Sequence, residues 1–258
     1  MATKIVFLKK KKLSKPIMLT GLPGIGLVGK ICVDYFMTQF KTEKLAMIFS
    51  DSFPPSVHTK EGIISLIHDE LHSFNFEGRD FLFLAGPVQP SLDFRVGSAA
   101  EHYEFASKIV EIAEQLGVKQ IFTLAGINIG EKRMEKEPKV IAAATSNELL
   151  KELSVLGAKA DKKEGLISGA AGLILGLAKP LGIEGACLMG ETNSTLVYGD
   201  HGAAKKLIEL LVKKFGFKVD MKSIEKESKK IEDAFKKLAE QFDQAEEEES
   251  VQGPSYVR

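Results

Sequence analysis

PIMLTGLPGIGLVGK, residues 16–30, sets an apolar run, Pro16 to Thr20, directly against a glycine-rich turn and then a helical pattern. Strand, glycine turn and helix in that order make the opening of a βαβ unit, and two phosphate-binding patterns overlap in it. Gly24-Ile25-Gly26-Leu27-Val28-Gly29 fits G-x-G-x-x-G, and Gly24 to Lys30 fits G-x-x-x-x-G-K. A P-loop needs a Ser or Thr after its lysine to hold magnesium, and Ile31 stands there. A dinucleotide site needs an acidic residue about twenty positions beyond the fingerprint, on the ribose. Asp51 has roughly that spacing, but Ser50-Asp51-Ser52-Phe53-Pro54-Pro55 puts a rigid turn where the next helix should begin. The simpler reading is that the glycines let the turn pack tightly and Gly29 lets the helix sit close to the sheet.

Along the rest of the chain, apolar β-type runs alternate with helical periodicity. Strands are expected at Lys4–Leu8, Pro16–Thr20, Leu45–Phe49, Gly62–His68, Phe81–Ala85, Gln120–Leu124, Lys139–Ala143 and Gly185–Met189. Helices are expected at Leu27–Phe40, Ser98–Leu116, Asn147–Leu153, Ser168–Leu177 and Gly202–Phe215. Such alternation predicts an α/β fold with a mostly parallel sheet covered on both faces. The stretch Val57 to Leu84 breaks the pattern with several short strands and predicts an antiparallel hairpin region inserted into, or flanking, that sheet.

With 258 residues, 44% hydrophobic and 27% charged, the chain can bury a large core without disulfides. Its two cysteines, Cys32 and Cys187, exclude a disulfide framework or a CxxC metal site and suit a reducing compartment. No signal-peptide pattern or membrane-length apolar run is present, so a cytoplasmic location is expected. The Lys- and Glu-rich, Trp-free composition fits a heat-adapted source. Net charge is zero, with no overall case for nucleic acid. Residues 219–258 carry −4 and the remainder +4.

Residues 219–249 differ in kind. Met221, Ile224, Ser228, Ile231, Phe235, Leu238, Phe242 and Ala245 step by threes and fours among Lys and Glu, a heptad stripe. It suits either a helix packed on its own body or a contact between chains. The acidic run Glu246–Glu249 and Gly253-Pro254 then mark 250–258 as a flexible tail.

Five ordered motifs between about residues 16 and 217 resemble the proteasome assembly chaperone 2 family. They are the Gly21–Gly29 turn followed by Ser50-Asp51-Ser52-Phe53-Pro54-Pro55, and Phe83-Leu84-Ala85-Gly86-Pro87-Val88-Gln89-Pro90. The others are the glycine-rich Gly165 to Gly176, Ala186-Cys187-Leu188-Met189-Gly190-Glu191-Thr192, and Asp200-His201-Gly202-Ala203-Ala204, where His replaces the family's Pro. The resemblance implies a three-layer α/β/α sandwich similar to the nucleoside phosphorylase fold. It implies a homo-oligomeric protein that binds proteasome α-subunits or the α-ring without catalysis and without a cofactor or metal. In some members a C-terminal hydrophobic residue, Tyr and a final residue dock on the ring. Here Tyr256 is third from the end, followed by Val257 and Arg258, with polar Ser255 before it, which leaves room for another protein partner.

The division expected is an α/β body over 1–218, a partner-binding or oligomerisation helix over 219–249 with Ile224, Ile231, Phe235, Leu238 and Phe242 as its apolar stripe, and a tail with Tyr256, Val257 and Arg258 as docking residues. A phosphorylase- or hydrolase-like enzyme remains an alternative. It would draw on a vestigial pocket of Gly24, Gly26, Asp51, Glu191 and Asp200, although Asp200 also reads as an N-cap. His68, Glu70 and His72 would share one strand face, as a three-ligand metal set or as a solvated surface.

Overall fold

The computed structural model describes residues 2–91, 98–160, 164–196 and 198–230. In chain order the strands and helices are β1 (Lys4–Phe7), β2 (Ile17–Gly21), α1 (Val28–Gln39), β3 (Glu43–Phe49), β4 (Val57–Lys60), β5 (Ile63–Leu66), β6 (Asp69–Phe76), β7 (Arg79–Ala85) and α2 (Ala99–Gln115). There follow β8 (Gln120–Asn128), α3 (Lys132–Glu135), β9 (Val140–Ala144), α4 (Asn147–Val155), β10 (Lys159–Ala160), α5 (Ala170–Ala178), β11 (Glu184–Thr192) and α6 (His201–Phe215). Residues 222–230 are also helical.

Nine strands form one sheet in the order β1-β3-β6-β7-β2-β8-β11-β9-β10. The sheet is mixed, which corrects the expectation of a mostly parallel one. Strands β7, β2, β8 and β11 run parallel, as do β9 and β10 with each other, while the β1-β3, β3-β6, β6-β7 and β11-β9 pairings are antiparallel. The reason lies in connection length. The Glu77-Gly78 turn between β6 and β7, with both residues at positive φ, is too short for a parallel crossover and forces a hairpin.

Two apolar layers sandwich the sheet. One holds Val28, Val33 and Phe36 of α1, Leu149 and Leu153 of α4, and Leu207, Ile208 and Leu211 of α6. The other holds Phe105, Ile109 and Ile112 of α2 with Ile174 and Leu175 of α5. Helices therefore cover both faces, as the alternating pattern requires. Strands β4 and β5 stand apart as a two-stranded sheet in which every residue is exposed, Ile63 by 73% and Ile64 by 67%.

The described start of the heptad stripe lies against the body. Ile224 is buried in the α1–α4–α6 core layer and Met221 packs on it. Tyr35 Oη donates to the Asp220 carbonyl, and Lys205 Nζ lies 3.7 Å from the Glu225 carboxylate. Ile231, Phe235, Leu238, Phe242, Tyr256, Val257 and Arg258 lie outside the described residues. Among the described residues no helix is long and apolar enough to cross a membrane.

Candidate functional site

The glycine turn gets its shape from close backbone approach. Gly26 and Leu27 both adopt left-handed backbone, at φ 60° and 50°, so the chain leaves β2, makes one 3-10 turn at Ile25–Leu27 and enters α1. At Gly29 an added Cβ would sit 2.0 Å from the Leu124 carbonyl oxygen of β8. At Gly26 it would sit 2.4 Å from Thr192 Oγ1. Lys30, the lysine of the P-loop pattern, points along α1 to Asp34 at 2.6 Å. The glycines are therefore explained by packing of the turn and α1 on β8 and β11.

The parallel strands bring four loops to one edge of the sheet: the Gly21–Gly29 turn, Gly86–Pro90, the residues after Asn128, and Thr192–Asp200. From β2 the chain passes through α1 to the β3 side; from β7 it passes through α2 to β8 on the opposite side. The β2–β8 boundary is thus a topological switch point, where open α/β sheets leave a crevice for ligands. A cavity of about 440 Å³ occupies it. Leu22, Ile25, Leu124, Ile127, Ile167 and Met189 line it, with Thr20, Gln89, Asn128, Glu164 and Ser168 as polar members. Gln89 Nε2 donates to the Pro23 carbonyl and ties the Gly86–Pro90 loop to the glycine turn.

Of the anticipated pocket residues, only Gly24 lines this cavity. Gly26 and Asp200 meet next to it, with Asp200 N–H donating to the Gly26 carbonyl at 2.8 Å. Asp200 is fully buried and saturated. Arg133 Nε and Nη2 form a fork on its two oxygens at 2.8 and 2.9 Å, Thr192 Oγ1 donates at 2.9 Å, and the Ala203 N–H is capped at 2.9 Å. Glu191, 9% exposed, accepts from the Lys139 N–H at 3.2 Å and faces Lys136 Nζ at 3.7 Å. Asp51 is elsewhere. It lines a groove with Phe49, Pro54, Pro55 and Leu66 beyond the end of β3, and β6 and β7 lie between β3 and β2. That is about 14 Å across the sheet at the usual strand spacing. In a dinucleotide fold the second strand neighbours the first, so Asp51 does not complete the glycine fingerprint.

Arg133 sits in a strongly charged stretch, Glu131 to Glu137, where no local signal in the sequence marks its burial. Asp69, at the start of β6, is likewise fully buried, and burial pushes its carboxyl well above the usual range.

His68, Glu70 and His72 do come together. Glu70 Oε2 lies 2.7 Å from His72 Nε2, its Oε1 lies 3.2 Å from His68 Nε2, and Lys44 also bonds it. Both imidazoles bind the carboxylate rather than a shared centre, and among the described residues no group of three or more His, Cys, Asp or Glu is placed to hold a metal ion. His72 is 7% exposed, so the face is half-buried rather than solvated. Hydrogen bonds from His72 and then Lys44 outweigh burial and hold the Glu70 carboxyl down at about 2, from an ordinary 4.5. A depressed carboxyl stabilises the fold above its unfolded value and loses that contribution as pH falls through the folded one. Urea midpoints of the native protein should therefore fall more steeply between pH 4.5 and 2 than those of Glu70→Gln. Parallel pH profiles for the two would show that the cluster carries no such linkage.

A model of the PAC2 family matches residues 18–239. An uncharacterized protein of Methanocaldococcus jannaschii is 34% identical over 227 residues, spanning 88% of this chain and 84% of the relative. Among solved structures, Pyrococcus furiosus PbaB, described as an archaeal proteasome activator, superposes with a TM-score of 0.82 at 28% identity, covering 92% of this chain and 99% of PbaB. Pyrococcus furiosus PbaA, described as an archaeal homolog of proteasome-assembly chaperone, gives 0.71 at 25% identity over 98% of each chain.

Proposed function

We propose a protein-binding rather than catalytic function, from the premise that this chain belongs to the PAC2 family. The binding target is the proteasome, through its α-subunits or assembled α-ring, and the acting form is a homo-oligomer in the cytoplasm of a heat-adapted archaeon. The body is the three-layer sandwich, related to the nucleoside phosphorylase fold. Residues 219–249, with Ile231, Phe235, Leu238 and Phe242, supply an oligomerisation or partner-binding helix, and Tyr256, Val257 and Arg258 supply the docking tail. Tails presented by several subunits add through effective concentration, so each contact can be weak.

The observation that carries this reading is the likeness to PbaB, a proteasome activator by its description, over nearly the whole of both chains. Two features of the molecule support it. The β4–β5 hairpin exposes Val57, Ile63, Ile64 and Leu66, aliphatic surface of the kind that marks protein contacts. Asp200, the carboxylate beside the glycine turn, is taken up by Arg133, Thr192 and the Ala203 N–H in a structural cluster. A fold shared with enzymes is not itself evidence of catalysis.

A second reading, a scaffold for a non-proteasomal protein, draws support from polar Ser255, which stands before Tyr256 where the docking motif has a hydrophobic residue. One experiment separates the two. Full-length protein and a version ending at Glu249 are used to capture proteasome α-subunits, with the mass of each bait measured by light scattering. Capture by the oligomeric full-length protein and loss with the truncation is expected. Equal capture would move the docking surface to the body or helix. Failure of both to bind α-subunits, or a monomeric bait, would overturn the proteasomal or the multivalent part respectively.

A further inference from the structure

The edge of the sheet opposite the glycine turn carries a basic groove of about 660 Å³. It lies between the end of β1, the loop after α1 and the end of β6. Lys9, Lys11, Lys41 and Lys44 line it, and Glu43 is the one acid among the described lining residues. Glu43 accepts from both Lys9 Nζ at 2.7 Å and Lys11 Nζ at 3.2 Å, and Lys44 pairs with Glu70. Lys41 has no carboxylate partner among the described residues. Neither have Lys10 and Lys12, exposed on the same loop as Lys9 and Lys11. Six lysines thus share two carboxylates, and added negative charge would relieve their mutual repulsion. The groove presents no aromatic face for base stacking, since Phe74 lines it but is only 3% exposed. That favours a run of peptide carboxylates over single-stranded nucleic acid.

This chain holds such a run. Asp243 and Glu246–Glu249 put five acids within seven residues, in the part of the sequence beyond the described Lys230. The path of the chain decides which copy supplies it. Asp220 N–H donates to Gln39 Oε1 at 3.0 Å, at the C-terminal end of α1 and so at the groove's edge of the sheet. Helix 222–230 then runs to the opposite edge, where Ser228 lines a cleft with Gly202 and Lys206 at the start of α6. Fifteen further residues, 231–245, precede Glu246. As the helix that their heptad stripe calls for, they add about 22 Å in that direction. The acidic run is carried away from the groove of its own chain.

We propose that the groove of Lys9–Lys12 and Lys41 receives the acidic segment Asp243–Glu249 of a second copy of this chain. The contact rests on the homo-oligomeric form proposed above. It gives that oligomer a salt-sensitive link between the root of one tail and the body of its neighbour.

Carbodiimide cross-linking of the full-length protein at low salt tests this, because the reagent joins a carboxylate to an amine only where the two already touch. Denaturing electrophoresis separates links between copies from links within one chain, peptide mass spectrometry locates them, and light scattering gives the mass before treatment. A dimer band is expected in which Glu246–Glu249 is joined to lysines of the groove. Two charge-reversed proteins accompany it. One carries Lys10→Glu, Lys12→Glu and Lys41→Glu, which break no ion pair among the described residues. The other carries Glu246→Lys, Glu247→Lys, Glu248→Lys and Glu249→Lys. Circular dichroism verifies that both are folded. Each reversal should weaken self-association about tenfold in sedimentation, as suits several exposed charge contacts together. An equimolar mixture of the two should recover it, since the reversed groove of one meets the reversed run of the other. An oligomer whose dimer band lacks these links, or links confined to the monomer band, would overturn the contact and leave oligomerisation standing. A monomeric mass would overturn the homo-oligomeric reading and this contact with it. Unchanged association in both reversed proteins would show that these charges hold no second copy.

Discussion

Replacing Arg133 by methionine is expected to remove about 3–5 kcal/mol of folding stability, the cost of leaving a buried charge without its partner. Both side chains of the Arg133–Asp200 pair are fully buried, and the two-pronged guanidinium contact is the arrangement that Arg alone supplies. Methionine fills much of the aliphatic volume, so the loss reports the orphaned Asp200 carboxylate rather than a cavity. The double variant Arg133→Met, Asp200→Asn sharpens the test. Asparagine keeps the N-cap of α6 and removes the charge, so the double variant should be more stable than Arg133→Met alone. Denaturant midpoints of the three proteins measure this. A single-variant loss below about 1 kcal/mol, within the range of exposed pairs, would show that the pair is not buried in solution. The consequence for function is positional: Asp200 holds Gly26 through its N–H and Thr192 through its carboxylate, so this pair fixes the glycine turn against the end of β11.

Gly29→Ala should be the most disruptive of the conservative glycine substitutions in that turn, by about 3 kcal/mol, the upper end of overpacking costs. Helix propensity argues the other way, since alanine is favoured over glycine inside a helix by about 1 kcal/mol. Geometry decides the sign. The new Cβ would lie 2.0 Å from the Leu124 carbonyl oxygen and 2.6 Å from its carbon, and these are backbone atoms of a central strand that cannot swing aside. Gly24→Ala is the control. Its φ of −156° is open to any residue, and the nearest atom to an added Cβ is Gln89 Nε2 at 3.9 Å. Its effect should stay within about 0.5 kcal/mol, as for an ordinary surface change. Thermal midpoints of both variants read the contrast. Similar losses at the two positions would mean that the glycines are not there for packing.

The same contrast explains what the glycine motif could and could not reveal. The spacing of Gly24, Gly26 and Gly29 marks a tight strand-to-helix turn whatever its purpose, so the turn was legible. Whether it holds phosphate depends on what stands beside it in space. Asp51 has nearly the sequence spacing of a ribose-binding acid, and two intervening strands remove it from the site. The order of strands in a sheet is set by which long-range pairings bury most surface, and residue spacing along the chain does not encode it.

The element pattern was read closely where periodicity is strong. Helices α1, α2, α4, α5 and α6 lie within a few residues of their expected bounds, and Ser98, Ser146 and Asp200 cap α2, α4 and α6 by accepting N–H bonds. Among the several short strands expected between Val57 and Leu84, the sequence does not mark the bounds of β6, since its alternation of polar and apolar residues is weak. The charge-rich segment with Arg133 carries no element signal in the sequence, because a lone arginine among lysines and glutamates does not reveal its distant partner.

Features legible along the chain are thus local and periodic: alternating strands and helices, their caps, the glycine turn, the hairpin region, and the ordered motifs of the PAC2 family. The mixed direction of the sheet, the burial of the Arg133–Asp200 pair, the separation of Asp51 from the glycine turn, and the cavity over Thr20 emerge from the folded arrangement alone. Local features follow from backbone sterics and side-chain periodicity within a few residues. The others depend on contacts between segments tens of residues apart, where burial, charge pairing and close backbone approach are settled together.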